Sequence, residues 1–313
     1  NKAVNLSTSG ADISGTANLD AVDIDGNLDV NGGTIKLDGN YPTGTGNVAL
    51  GNTALDDGSL SGAYNTAIGN LALTANTSGA ANTAMGADVM ASNTTGGSNS
   101  AFGRNALGTN TTGSNNTAVG YNSLVSGTTG GNNTAVGWSS LFNNTTADNN
   151  TAVGYQAGYT NVAAGAQVFV GYKAGYATTN GGGSSTFVGY EAGLSNTTGG
   201  NNTALGRGSF LDNTTGSNNV GLGYDALANN TTASNNTAVG YTAGYSNTTG
   251  AQNTFIGRQA SYTNTTGLYN SSFGNDALYY NTTGGYNTAL GAAALNNNTT
   301  ASNNTAVGYQ AGY

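Results

Sequence analysis

One period constrains this chain more than anything else in it. The five residues Asn116-Thr117-Ala118-Val119-Gly120 return, as NTAVG or NTALG, at Asn133, Asn150, Asn202, Asn236, Asn287 and Asn304, with near-copies between them. Aligned on the glycine, the pattern has sixteen anchors from Gly51 to Gly308. Thirteen of the fifteen intervals are 17 residues and two are 18. A repeat this regular folds as a stack of like units, so length follows repeat number and does not count domains. The chain divides into a short segment, 1–46, and a repeat array, 47–313.

Composition matters mainly for what it excludes. Fifty-two glycines and only 6 % charged residues suggest low complexity. Disorder, however, goes with scattered apolar residues and high charge, whereas here the apolar residues keep fixed phases of the cycle. The net charge of −8 repels phosphate backbones, so nucleic acid is not an expected partner. Without cysteine there are no disulfides and no thiolate metal sites. No apolar run approaches the roughly 20 residues of a membrane span, and the first residues do not read as a signal peptide. Opening at Asn1 and closing inside a repeat at Gly312-Tyr313, the chain reads as a processed or partial piece of something longer.

Residues 1–46 follow a different pattern. The pairs Val22/Ile24, Leu28/Val30 and Ile35/Leu37 alternate with polar residues and are punctuated by Gly26, Gly32, Gly33 and Gly39. This predicts short half-buried strands joined by tight turns. Asp23-Ile24-Asp25-Gly26 suggests a calcium loop, but that register puts Ala21 where the first oxygen ligand belongs, so no metal is expected. Pro42, the only proline, lies in a plausible joint, Tyr41 to Gly46.

Each turn of the array can be numbered from the Asn of NTAVG, with the anchor Gly at position five. Position four is large and apolar in all sixteen turns (Leu50, Ile68, Met85, Phe102, Val119) and position eight is small, as in Ala106, Ala157 and Ser123. Positions twelve to fourteen usually read Asn-Thr-Thr, as in Asn110-Thr111-Thr112. Position nine is Leu, Met or Phe in ten turns. In the other six it is Gly or Ser, followed by Tyr or Leu at ten: Tyr159, Tyr176, Leu194, Tyr245, Tyr262 and Tyr313. One pocket filled from either of two adjacent residues explains that exchange.

Glycine, Asn-Thr-Thr blocks and β-branched residues are poor in helices. The expectation is a β cycle: one strand around NTAVGY, a bend at the anchor Gly, a second strand over positions eight to thirteen, then a polar return. Successive turns pair in parallel at about 4.8 Å, giving a rod roughly 75 Å long. Asn ladders at positions one, twelve and seventeen hydrogen-bond along the axis. The strand is apolar on both faces and should be buried on both. Position four is expected to feed the roll, and position three (Ala118, or Phe169, Phe187 and Phe255) to meet neighbouring chains in a parallel trimer.

Enzymatic chemistry is not expected. The array lacks His and Cys, has Glu191 as its only Glu, and shows no recurring carboxylate pair. No cofactor is expected either. The candidate ligand-binding row is position six: Arg104, Tyr121, Trp138, Tyr155, Tyr172, Tyr190, Arg207, Tyr224, Tyr241 and Arg258, with Tyr309 in the last turn. Aromatic faces could stack on sugars and Arg could supply forked donors. The competing reading is that these side chains stack on one another. Recurrent Thr pairs raise ice binding as a further class, weakened by their place in the return turn. Asn-x-Thr triplets such as Asn213-Thr214-Thr215 match the glycosylation pattern but are explained by turn ladders, so most are expected to carry no sugar.

The cycle of NTAVG plus a small residue three positions later, as in Asn150-Thr151-Ala152-Val153-Gly154 with Ala157, resembles the β-roll of YadA-like trimeric autotransporter adhesin heads and the Asn/Thr/Gly repeats of phage tail-fibre proteins. Residues 8–39, with Asp12-Ile13-Ser14-Gly15 and Val22-Asp23-Ile24-Asp25-Gly26, also resemble phage fibre segments. The adhesin-head repeat is shorter than the 17 residues found here. The resemblance implies a left-handed, homotrimeric fibre outside the cell, as a virion appendage or on a cell surface. Its partners would be its own copies, in trimers or end to end, and a host glycan or receptor. The expected fold is all-β: a parallel β-solenoid of about sixteen 17-residue turns with a short β-rich N-terminal segment. The expected function is attachment, first as a phage tail fibre and second as a bacterial adhesin or self-assembling filament.

Overall fold

A computed structural model describes residues 45–179 and 183–313. The short strands expected within residues 1–44, and the Asp23-Ile24-Asp25-Gly26 stretch where no metal is expected, lie outside the described residues. From residue 45 onward the chain is a parallel β-solenoid. Sixteen three-residue strands, β1 (Val48–Leu50) to β16 (Thr305–Val307), form one sheet in sequence order, and no helix occurs among the described residues. Every pair is parallel and aligned by repeat position: Ala118 faces Ala135 and Val119 faces Val136.

The anchor glycine makes the stack possible. From Gly51 to Gly291 its φ lies between +127° and +143°, and an added Cβ would come within 2.2–2.7 Å of the glycine backbone one turn on. Both the conformation and the close approach demand glycine.

The second strand expected over positions eight to thirteen is not present; hydrogen-bonded turns and bends occupy that stretch. The reason is local. Positions seven and nine take left-handed φ, as at Asn122 (54°) and Leu124 (50°), which curls the chain and breaks the pleat. Axial bonding continues nonetheless. Leu124 donates its N–H to the Ser140 carbonyl (2.9 Å), Ser126 to Phe142 (3.1 Å) and Thr128 to Thr145 (2.9 Å).

The strand faces are the reverse of the expectation. Position three points inward: Ala118, Ala152, Phe169, Phe187 and Phe255 are all fully buried. Position four points outward, with Val119 36 %, Leu205 51 % and Leu290 49 % exposed. The interior is narrow, since the strand packs directly on positions eight and nine, and in ten of the sixteen turns one Leu, Met or Phe from position nine fills it. A second large side chain from the strand does not fit.

The exchange at position nine therefore has a different cause. Tyr at ten does not replace the missing Leu. A Cβ on Gly158 or Gly175 would strike Phe169 at 2.5 and 2.3 Å, and one on Gly244 would strike Phe255 at 2.5 Å. The space comes from position nine and is filled from position three, of the next turn at Gly158 and Gly244 and of the same turn at Gly175. The inverse pair also occurs: Phe210 fills position nine, and a Cβ on Gly221 would lie 2.9 Å from its ring. One contact is polar, Ser261 Oγ donating to Ser272 Oγ at 2.9 Å. There the apolar core divides into a cluster ending at Ala260 and another starting at Ala277.

Asparagine ladders run at positions one and twelve. Asn116 Oδ1 accepts from the Asn133 N–H (2.9 Å), while its Nδ2 donates to the Gly130 carbonyl (2.9 Å). At position twelve, Asn230 Nδ2 donates to Asn213 Oδ1 (2.8 Å), and Asn213 Nδ2 to Asn196 Oδ1 (2.7 Å). At position seventeen the expected ladder is present at one step, Asn201 Nδ2 donating to Asn218 Oδ1 at 3.3 Å, and does not run on through Asn115 and Asn132. Asn115 and Asn132 there are exposed with φ near +60°, so they serve the backbone conformation that Asn tolerates better than most residues.

Candidate functional site

The left-handed residue at position seven follows position six directly and turns the chain toward position ten. This places rows six and ten side by side with seven between them. Lys173 shows the arrangement: its Nζ lies 5.4 Å from the ring centroids of both Tyr172 and Tyr176.

Row six is a continuous stack. Tyr121 to Trp138 is 6.3 Å, Trp138 to Tyr155 4.7 Å, Tyr155 to Tyr172 5.2 Å and Tyr172 to Tyr190 5.0 Å, with the ring planes nearly parallel. Arg104 caps Tyr121 at 5.9 Å, and Arg207 forms a rung between Tyr190 (5.8 Å) and Tyr224 (5.0 Å). Tyr224 then stacks on Tyr241 at 5.2 Å. These residues come together as predicted, but their ring faces are spent on each other. What they offer outward is a row of ring edges, with Tyr155 39 % and Tyr190 47 % exposed. Between Tyr121 and Tyr224 the stacked rungs leave no room for the sugar stacking that the sequence suggested.

Each arginine also has a carboxylate one turn away at position seven: Arg104–Asp88 at 3.6 Å, Arg207–Asp225 at 3.9 Å and Arg258–Asp276 at 3.6 Å. Arg207 also donates to the Tyr224 hydroxyl, and Arg258 to Asn275 Oδ1 at 3.4 Å. The arginines are more than half exposed, so the pairs orient side chains more than they add stability. Burial pushes the Asp225 carboxyl above its usual range, with Arg207 pulling the other way. Sequence reasoning missed these partners. Their signal is an Arg and an Asp separated by one period plus or minus one residue.

Row ten is a second aromatic ladder that sequence reasoning assigned to the core. Phe142, Tyr159 and Tyr176 stack at 5.0 and 5.2 Å, and Tyr245, Tyr262 and Tyr279 at 5.2 Å each. Burial first, then Tyr262, Tyr280 and Asp276, raise the Tyr279 hydroxyl above its usual range, leaving it a neutral donor.

Threonine at position thirteen is engaged internally, as in Thr111 Oγ1 donating to the Thr128 carbonyl at 2.9 Å. Only position fourteen (Thr112, Thr129, Thr146) stands outward from the Thr pairs, as a single row. In the triplet Asn213-Thr214-Thr215 the asparagine is fully buried, with its amide in the ladder. No group of three His, Cys, Asp or Glu residues among those described could hold a metal ion, and no described helix is long and apolar enough to cross a membrane. No family model matches the chain, and no curated protein matches it in sequence.

Proposed function

We propose that the chain is the shaft or head of an extracellular attachment fibre, assembled as a parallel homotrimer through the outer face of its sheet. The supporting observation is the outward apolar stripe at position four. Ten of its sixteen residues are 36–66 % exposed, Leu50 and Val307 most of all. Such a stripe presents on the order of 700–1,000 Å² of apolar surface, above the roughly 300–600 Å² of a typical monomer's largest patch. It approaches the ~800 Å² that each partner buries in a stable interface. Its occupant is the same chain. Copies aligned in parallel meet rung for rung at one spacing, which an unrelated globular surface cannot match.

A rigid, acidic, charge-poor rod provides reach and carries recognition on its sides. A phage tail fibre is the first setting and a bacterial surface adhesin the second; a self-assembling filament differs in lacking a receptor. Sedimentation velocity on the purified chain tests assembly, with trimers expected at micromolar concentration and a single monomeric species overturning it. Adherence of labelled rods to a panel of bacterial cells tests attachment. Rods that join end to end and adhere to none of the cells would favour the filament.

A further inference from the structure

The two lateral rows are not uniform along the rod. In row ten the stack Tyr245–Tyr262–Tyr279 stops at the next turn, where the residue is Asn296. Its amide is turned down, Nδ2 donating to the Asp276 carbonyl at 2.9 Å, so the parallel stack of rings ends at Tyr279. One turn further on, Tyr313 again supplies an aromatic at position ten. Small residues at six and seven of the same turn, Ala292 and Ala293, widen the gap. The result is a cavity of about 430 Å³ lined by Tyr279, Tyr280, Tyr313, Asn296, Arg258 and Asp276 among others. That lies within the roughly 300–1,000 Å³ range of small-molecule sites.

From this geometry we infer that the notch between Tyr279 and Tyr313 is a binding site for a neutral pyranose, held as the rung that Asn296 leaves out of the aromatic ladder. Two turns separate the flanking tyrosines, roughly 9.6 Å at the spacing of parallel strands. That separation admits one flat ring between two aromatic ones. The weakly positive C–H groups of a pyranose suit the negative face of Tyr279. Tyr280 also lines the notch and stands T-shaped to Tyr279 at 4.7 Å and 72°.

Polar groups for the sugar hydroxyls converge from the other side. Arg258 and Asp276 face each other at 3.6 Å and together offer forked donors and an acceptor with no net charge. Nothing in the notch is left to balance an anionic sugar, and the chain's net charge of −8 disfavours one. The inner rungs of rows six and ten, such as Tyr155, Tyr172, Tyr159 and Tyr262, lack this combination, because a neighbouring ring covers each of their faces.

This inference rests on the attachment reading and gives it a recognition site; the experiment separates the two. Saturation-transfer NMR is recorded on the full chain with maltose, cellobiose, lactose, chitobiose and, as a flat non-sugar, adenosine. At least one disaccharide is expected to bind with millimolar or better affinity, with transfer concentrated on one pyranose ring. Asn296→Tyr completes the ladder using a residue the neighbouring turns already hold at position ten, and should abolish that binding while the circular dichroism stays unchanged. Tyr279→Leu should weaken it at least tenfold, and Tyr155→Ala, in mid-rod, should leave it unchanged. The notch proposal is overturned if no disaccharide binds, if adenosine alone binds, or if Asn296→Tyr binds as tightly as the parent. Parent and Asn296→Tyr rods adhering equally to cells would overturn the notch as the recognition site and leave attachment standing. Disaccharide binding confined to the parent, with no adherence to any cell tested, would leave the notch standing and remove the attachment reading.

Discussion

At the scale of single residues, the same amino acid does two jobs that substitution separates. Asn213 at position twelve is fully buried. It donates to Asn196 Oδ1 and the Gly216 carbonyl and accepts from Asn230. Asn213→Ala removes all three bonds and takes from Asn196 Oδ1 its donor, while the Gly216 carbonyl keeps Asn202 and Asn230 keeps Ala233, and it should cost about 1–3 kcal/mol. Asn115 at position seventeen is exposed with φ of 60°, and Asn115→Gly should change stability by less than about 0.5 kcal/mol. Urea denaturation followed by circular dichroism reads both, and equal losses would refute the division of labour. Asp225 supplies a pH test. Its folded pKa is raised by burial, so the native state holds the proton more tightly than the unfolded chain. Its contribution favours folding below the unfolded value near 3.8 and is lost as pH rises through the raised folded value. Asp225→Asn should therefore be at least as stable as the parent at pH 7, with the margin gone at pH 3. A variant clearly weaker at pH 7 would mean that the Arg207 pair outweighs burial.

At the scale of one turn, packing couples position nine to position three eleven residues later. Gly244 with Phe255 and Leu227 with Ala238 are two solutions to one volume. Phe255→Ala alone should cost about 3–5 kcal/mol through the cavity it opens. Gly244→Leu alone drives a side chain into the Phe255 ring and should cost about 1–3 kcal/mol. Together they recreate the Leu/Ala solution, and the pair should cost less than the sum by at least about 2 kcal/mol. A double-mutant cycle with no coupling would sink the volume rule. The same turn shows what could be read beforehand. Parallel stacking and the bend at Gly120 followed from the period, because only a solenoid satisfies seventeen-residue identity over sixteen turns. The inward face did not follow. A three-residue strand with apolar residues at both three and four has no alternation to read, and the larger Val119 looked like the core residue. Nor did the left-handed φ at seven and nine follow, since Gln156, Lys173 and Leu124 carry no preference for it. The candidate row at six was legible as a row. That its ring faces close on each other was weighed, and the 4.7–6.3 Å spacings now show it.

At the scale of the whole molecule, the inverted strand changes which surface is proposed to meet other copies. The proposed interface is position four, whose residues vary in size from Val to Phe while staying apolar through all sixteen turns. Facing solvent alone, such a row would gain nothing from remaining apolar; facing its own copies in register, it buries each rung against the same rung. Charge introduced there should act on assembly and leave the fold intact, because Val119 and Val153 do not enter the interior. Val119→Asp with Val153→Asp places like charges from every protomer close together and desolvates them, a repulsion the parallel arrangement cannot avoid. Sedimentation should shift from trimer to monomer, while circular dichroism keeps the parent's β signature. A control change of the same charge at position fourteen, Thr112→Asp with Thr129→Asp, lies on an exposed row away from the strand and should leave the trimer unaltered. If the position-four variant remains trimeric, the interface lies elsewhere on the rod. If it loses its β signature, position four supports the fold itself and the inward–outward assignment is wrong.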